Sequence, residues 1–159
     1  MTPEAESRSP DSGPDAPPST RFAIACGTFY RDLADKLVAS ATATFEASGA
    51  EGIDLFEVPG AFELPLVAKY AAESGRYDGI ACLGAVIRGE TSHYDYVCGE
   101  AARGIMDVQL STGVPCAFGV LTVENMDQAL ARTGDGKRHQ GEDAAHAVLS
   151  MAALRESLS

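Results

Sequence analysis

The chain lacks any apolar run approaching the roughly 20 residues needed to cross a bilayer. It also lacks the basic start and apolar centre of a secretion signal, opening instead on Met1-Thr-Pro-Glu-Ala-Glu. No membrane association is expected, and the expected location is the cytoplasm. There is no Cys-x-x-Cys pair. The four cysteines (Cys26, Cys82, Cys98, Cys116) are widely spaced, three of them in apolar segments. That spacing argues against zinc and for buried thiols acting as small hydrophobes. Cations are scarce as well: 12 Lys and Arg face 23 Asp and Glu, for a net charge of −11. Nucleic acid is therefore not an expected partner, because its binding depends on clustered positive charge. No Gly-x-Gly-x-x-Gly follows the first apolar run, no Gly-x-x-x-x-Gly-Lys-[Ser/Thr] occurs anywhere, and no internal repeat is evident. A small phosphorylated substrate stays open, held by a few cations and backbone N–H groups against an unfavourable global field. Arg88, Arg132, Lys137 and Arg138 are the cations near the informative segments.

What is present divides the chain in two. Residues 1–20 hold five of the eight prolines (Pro3, Pro10, Pro14, Pro17, Pro18) among Ser, Asp and Glu. Such a segment buries too little apolar area to offset its ordering entropy, so a disordered tail is expected. Residues 21–159 fit a single domain with a proper core. There, short apolar runs alternate with amphipathic stretches. Strands are predicted over 22–26, 53–58, 79–87 and 116–122. Helices are predicted from Asp32 as cap to Gly49, over 62–73 with Pro65 in the first turn, and over 94–110, 125–132 and 142–157. Strand–helix alternation repeated four times predicts an α/β fold, a four-stranded parallel sheet with helices on both faces.

In such a sheet the ligand-facing edge is formed by the loops at the carboxyl ends of the strands. The first carries Phe29, placed either to stack on a planar ligand or to pack on a neighbouring loop or subunit. The second, Val58-Pro-Gly-Ala-Phe-Glu63, puts Glu63 in a first helical turn, where a carboxylate is favoured with or without a ligand. The third is the most informative stretch of the chain: Gly84-Ala-Val-Ile-Arg-Gly-Glu-Thr-Ser-His93-Tyr-Asp-Tyr-Val97. An apolar run ends there in two hydroxyl residues and a lone histidine at a helix start. Histidine is the side chain whose unperturbed pKa lies nearest neutrality, and free helical N–H groups suit an anion. A lone histidine is more often structural; an aromatic, a carboxylate and hydroxyls on the same edge make His93 a proton-transfer candidate. The fourth loop, Thr122-Val-Glu-Asn125, leads to Arg132. His139 and His146 lack such a setting and read as solvated or packing residues.

Three segments in the same order carry a resemblance. Gly60-Ala-Phe-Glu63, Gly84-x-Val-Ile-Arg-Gly-x-Thr91-x-His93-Tyr-Asp-Tyr-Val97, and Gly119-Val-Leu-Thr-x-Glu-Asn125 with Gln128-Ala-x-x-Arg132 closely resemble the 6,7-dimethyl-8-ribityllumazine synthase family. The likeness runs from about Phe22 to Leu154. It implies a three-layer, flavodoxin-like α/β/α sandwich and the penultimate step of riboflavin synthesis, without metal or cofactor. It also implies two small-molecule substrates, 5-amino-6-(D-ribitylamino)uracil and 3,4-dihydroxy-2-butanone 4-phosphate. By matching position, Phe29 would stack on the pyrimidine, and Ala61, Phe62 and Glu63 would line the ring and ribityl chain. Ala85, Val86 and Ile87 would present backbone to the uracil, and Phe118 would border it from an adjacent subunit. Glu90, Thr91 and Arg132 would hold the butanone phosphate, with His93 moving protons. Arg88, Asp143, Lys137 and Arg138 are implied only as supporting residues, Asp143 near His93.

The sequence departs from the family at Gln140, where a ligand-contacting lysine is common, and at Ala131, where glutamate is frequent. These departures motivate an alternative, a non-catalytic lumazine- or flavin-binding or shell-scaffold protein. An unrelated flavodoxin-like binding domain would lack the Ile87–Tyr96 segment. The resemblance further implies a homo-oligomer: rings of five, twelve of which close into an icosahedral shell in some members, with riboflavin synthase as a candidate partner. The turn from Gly134 to Gly141 has no insertion relative to shell-forming members, which favours the shell.

Overall fold

Side-chain alternation along β1 (Arg21–Gly27) dictates the layers. Phe22, Ile24 and Cys26 face one side and Ala23 and Ala25 the other, all withdrawn from solvent. A strand apolar on both faces must be covered on both, the usual state of a parallel sheet. The computed structural model describes residues 13–134 and 138–159. In it β2 (Gly52–Val58), β3 (Gly79–Ile87) and β4 (Cys116–Val123) join β1 in the order β2-β1-β3-β4, every pair parallel. Helices α1 (Arg31–Ala47) and α5 (Gln140–Leu158) cover one face, where Leu33, Leu37, Phe45, Val148 and Leu149 meet Phe22, Ile24 and Leu83. The Phe22 and Phe45 rings stack with centroids 4.7 Å apart. Helices α2 (Leu64–Glu73) and α3 (His93–Thr112) cover the other, where Leu64, Ala68, Val97 and Ile105 meet Ala23, Ala25, Ile80 and Cys82. Each large side chain buried this way contributes about 1.5–3 kcal/mol relative to exposure. The short α4 (Met126–Ala131) follows β4. No helix among the described residues is long and apolar enough to cross a membrane.

Register decides where a ligand fits. Pairing of β1 with β3 stops at Cys26 opposite Leu83, whereas β3 runs on beside β4 as far as Ile87 opposite Val123. Residues Ala85–Ile87 therefore overhang the end of β1, with one edge of the strand outside the β1 ladder. The strand order also reverses at β1 and β3, the place where open α/β sheets form a crevice.

Several boundaries differ from the sequence expectation. The predicted helix over 62–73 is a 3-10 turn, Ala61–Glu63, followed by α2, because Pro65 has no N–H and sits in the first turn of the α-helix proper. Helix α1 starts at Arg31 with Tyr30 at its N-cap, so Asp32 lies in the first turn instead of capping it. Helix α5 begins at Gln140, two residues early, because the His139 Nδ1 accepts the Gly141 N–H at 3.2 Å. His139 is thus a cap. Of the stretch assigned to the tail, residues 1–12 lie outside the described residues. Residues 13–20 run along the domain: the Ala16 N–H donates to the Ser48 carbonyl at 3.0 Å, and Gly13 lies against the His146 ring.

At the amino end of the sheet the Tyr77 hydroxyl donates to Asp54 Oδ2 at 2.6 Å, with Arg21 and Arg76 each 3.7 Å from the same oxygen. The Tyr77 hydrogen bond chiefly, and the two guanidiniums after it, hold the Asp54 carboxyl below its usual range. A carboxylate with a lowered folded pKa stabilises the fold above its unfolded value of about 3.9 and loses that contribution as pH falls through the folded value. Asp54→Asn should therefore lower the melting temperature at pH 7, with the gap from the parent narrowing below about pH 4. Circular dichroism melts across that range check this, and a gap independent of pH would contradict it.

Candidate active site

The β1–α1 turn and the Pro59–Gly60 turn meet at the overhang. The Thr28 N–H donates to the Val58 carbonyl at 2.9 Å, stitching the ends of β1 and β2 together. Gly27 permits the approach: a Cβ there would lie 2.8 Å from the Gly60 carbonyl carbon and 3.1 Å from the Ala61 nitrogen. Both neighbours are backbone, so the turn itself would have to move. Gly27→Ala is expected to cost about 1–3 kcal/mol, as overpacking does, and to displace the segment carrying Phe62 and Glu63. A urea melt measures the first effect, and amide hydrogen exchange over residues 59–63 the second.

Above this junction opens a cleft of about 730 Å³. Phe29 and Tyr30 line it from β1, and Ala61, Phe62 and Glu63 from the 3-10 turn. Ala85, Val86 and Ile87 contribute the overhang, and Thr91, His93, Tyr94 and Tyr96 the start of α3. Phe29 and Phe62 are 76% and 61% exposed, so neither ring is consumed by the core and both are free to cover a planar ligand. Nine of the residues singled out from the sequence come together here. Tyr30 and Tyr96 also line the cleft and were given no role from the sequence. Their signal was the aromatic repetition in Phe29-Tyr30 and Tyr94-Asp-Tyr96, which periodicity alone assigns to packing.

His93 is exposed, and its N–H donates to Thr91 Oγ1 at 3.3 Å. Ser92 stands at the N-cap of α3 without a side-chain hydrogen bond. The positive end of a 20-residue helix thus opens on the cleft with the Thr91 hydroxyl over its first N–H, a setting suited to an anion. Among the described residues no lysine or arginine lines this cleft. Arg88 is engaged nearby: its Nε lies 2.9 Å from Glu124 and its Nη1 3.4 Å from Asp95, and it stacks over the Tyr94 ring at 4.2 Å. One guanidinium between two carboxylates leaves no charge for a phosphate. Glu90 is exposed beside the cleft without lining it.

The remaining residues singled out from the sequence lie elsewhere. Phe118 projects from edge strand β4 into a second groove of about 360 Å³ between α3 and α5, which Gln140 and Asp143 also line. Asp143 is therefore not beside His93 within one chain. Arg132 is exposed after α4, its Nη1 donating to the Gln128 carbonyl at 2.9 Å. Arg138 is exposed in the segment before α5, and Lys137 lies outside the described residues. One chain thus carries two surfaces: an aromatic, histidine-bearing cleft, and a groove lined by Phe118, Gln140 and Asp143.

Burial raises the Cys26 and Cys116 thiols to about 12 and holds Cys82 well above its ordinary value, so these thiols stay protonated and are poor nucleophiles. Among the described residues no three His, Cys, Asp or Glu side chains cluster as metal ligands.

Comparison with known proteins agrees with the motifs. The sequence model of the 6,7-dimethyl-8-ribityllumazine synthase family matches residues 19–156. The 6,7-dimethyl-8-ribityllumazine synthase of Desulfatibacillum aliphaticivorans is 45% identical over 138 residues, covering 86% of this chain and 89% of the relative. That of Ruthia magnifica subsp. Calyptogena magnifica is 44% identical over 145 residues, covering 87% of each. With a match that spans almost all of the folded residues, the chain belongs to the 6,7-dimethyl-8-ribityllumazine synthase family of enzymes.

Proposed function

We propose that this protein condenses 5-amino-6-(D-ribitylamino)uracil with 3,4-dihydroxy-2-butanone 4-phosphate to give 6,7-dimethyl-8-ribityllumazine. The observation that carries this reading is the cleft itself: two exposed aromatic rings and a carboxylate, together with a helix start that carries Thr91 and His93. The pyrimidine lies against Phe29 and Phe62, its edge on the overhanging backbone of Ala85–Ile87, and Glu63 accepts hydrogen bonds from the ribityl hydroxyls. The phosphate takes the N–H groups at the start of α3 and the Thr91 hydroxyl, with Glu90 alongside.

The chemistry then needs few functional groups. The 5-amino nitrogen attacks the ketone, and loss of water gives an imine. Loss of the C3 proton with expulsion of inorganic phosphate from C4 leaves an enol, which tautomerises to a C3 ketone. The ribitylamino nitrogen closes the second ring on that new carbonyl, and a second water leaves. His93 accepts and returns protons at the reacting nitrogen and carbon, worth about a hundred- to ten-thousand-fold. Holding both reactants in one cleft supplies the larger share, up to about 7–11 kcal/mol.

A phosphate dianion at a cleft without a cation is poorly matched, and the unfilled groove beside β4 offers the complement. In this reading a second copy brings Phe118, Arg132 and Gln140 over the cleft of the first, with Asp143 behind them. Such a head-to-tail contact closes into a ring, here of five copies, and the short 134–141 turn favours rings assembling further into a shell. Arg138 and Lys137 supply the positive charge that Gln140 does not. The reaction is placed in the cytoplasm.

The test is to mix purified protein with both substrates and follow lumazine fluorescence above the uncatalysed background. Acceleration supports the synthase. Ligand binding without acceleration would instead favour the non-catalytic binding reading, for which Gln140 is the specific motive.

A further inference from the structure

The loop that carries Glu90 and Thr91 into His93 has almost nothing holding it. Every residue from Gly89 to His93 is exposed, and the side-chain contact within it is the hydrogen bond from the His93 N–H to Thr91. Its course must be set at its two ends, and one side chain reaches both. Arg88 starts the loop, with its N–H on the Val123 carbonyl at 2.9 Å. Its guanidinium then spans the base of the loop to Asp95, in the first turn of α3. The same guanidinium grips Glu124, just past the end of β4, at 2.9 Å. From Glu124 polar contacts continue: its N–H donates to Gln128 Oε1 at 2.8 Å, and the Gln128 carbonyl accepts Arg132 Nη1 at 2.9 Å.

We propose that Arg88 is a positioning residue for the butanone phosphate end of the reaction. It clamps the Thr91–His93 loop at both ends and ties that loop to the segment leading to Arg132. This inference rests on the proposed substrates and adds a division of labour. The ribitylaminouracil end, built from the β1 and β2 turns and from the Ala85–Ile87 overhang that the β4 ladder holds by its backbone, does not depend on the guanidinium clamp. Planarity matters here: a guanidinium presents donors on separate nitrogens to two carboxylates while stacking on Tyr94, and an ammonium cannot do all three.

The experiment compares the intact protein with Arg88→Met, Arg88→Lys, Glu124→Gln and the double variant Arg88→Met/Glu124→Gln. Misplacing reacting groups by about an ångström costs up to about a hundred-fold, so Arg88→Met is expected to lower kcat about ten- to hundred-fold. It should raise KM for the butanone phosphate and leave KM for the ribitylaminouracil within about twofold. Arg88→Lys should recover only part of the loss. The double variant should be no worse than Arg88→Met, because both substitutions break one contact. Amide hydrogen exchange over residues 89–95 should speed up in Arg88→Met without faster exchange in β1. Unchanged kcat, or both KM values moving together with a general loss of protection, would overturn the clamp. A parent protein that does not accelerate lumazine formation would sink the synthase reading instead. Exchange over 89–95 would still decide the clamp in that case.

Discussion

His93→Ala is expected to lower kcat by about a hundred- to ten-thousand-fold, the range for removing a positioned acid–base group, while changing the affinity for the ribitylaminouracil only slightly. The split follows from where His93 sits. It is exposed at the start of α3, with its N–H on Thr91, and no described residue depends on the imidazole for packing. The surfaces proposed to take the pyrimidine, Phe29, Phe62 and Ala85–Ile87, belong to other elements and stay intact. Steady-state kinetics with each substrate varied, together with a binding isotherm for the ribitylaminouracil, check the outcome. Equal losses in turnover and binding would mark His93 as a structural residue.

Arg132→Gln should act on the other substrate. A charge-assisted hydrogen bond contributes about 1.5–3 kcal/mol, so KM for the butanone phosphate should rise about ten- to hundred-fold at roughly constant KM for the ribitylaminouracil. The side chain is exposed, and among the described residues its hydrogen bond runs back to a carbonyl of its own turn. Its loss should therefore leave the melting temperature nearly unchanged. Inorganic phosphate should inhibit the parent protein and lose potency in the variant, since the dianion answers to the same guanidinium.

How much of this was legible in the chain varies by element. The span of β3 matched residue for residue, because a strand covered on both faces is one unbroken apolar run bounded by polar residues. Parallel pairing followed from strand–helix alternation, whereas the order β2-β1-β3-β4 is set by which strands meet in the fold. The 3-10 turn before α2 escaped notice because residues 61–63 continue the helical pattern; only the geometry of Pro65 separates them. The start of α5 escaped because a histidine nitrogen does the work usually given to Ser, Thr, Asp or Asn. Within the site, residues next to one another along the strand ends were readable as a group. Asp143, expected near His93, was not readable in relation to it, since it lies on the groove beside β4, where Phe118 also lies. Arg88 looked like a free cation in the sequence. Its charge is spent on Glu124 and Asp95, which lie 36 and 7 residues away and meet it only in the fold.

The proposed division of the site between two copies is tested most directly by complementation. His93→Ala and Arg132→Gln chains are co-expressed in equal amounts, and lumazine formation is measured at low butanone phosphate, where each variant alone is nearly silent. In a ring whose sites pair the His93 cleft of one copy with the Arg132 surface of the next, random mixing leaves about a quarter of the sites with both halves intact. The co-assembled protein should then recover about a quarter of the parent rate. A rate no greater than the average of the two variants alone would contradict a shared site and place both residues in the service of one chain.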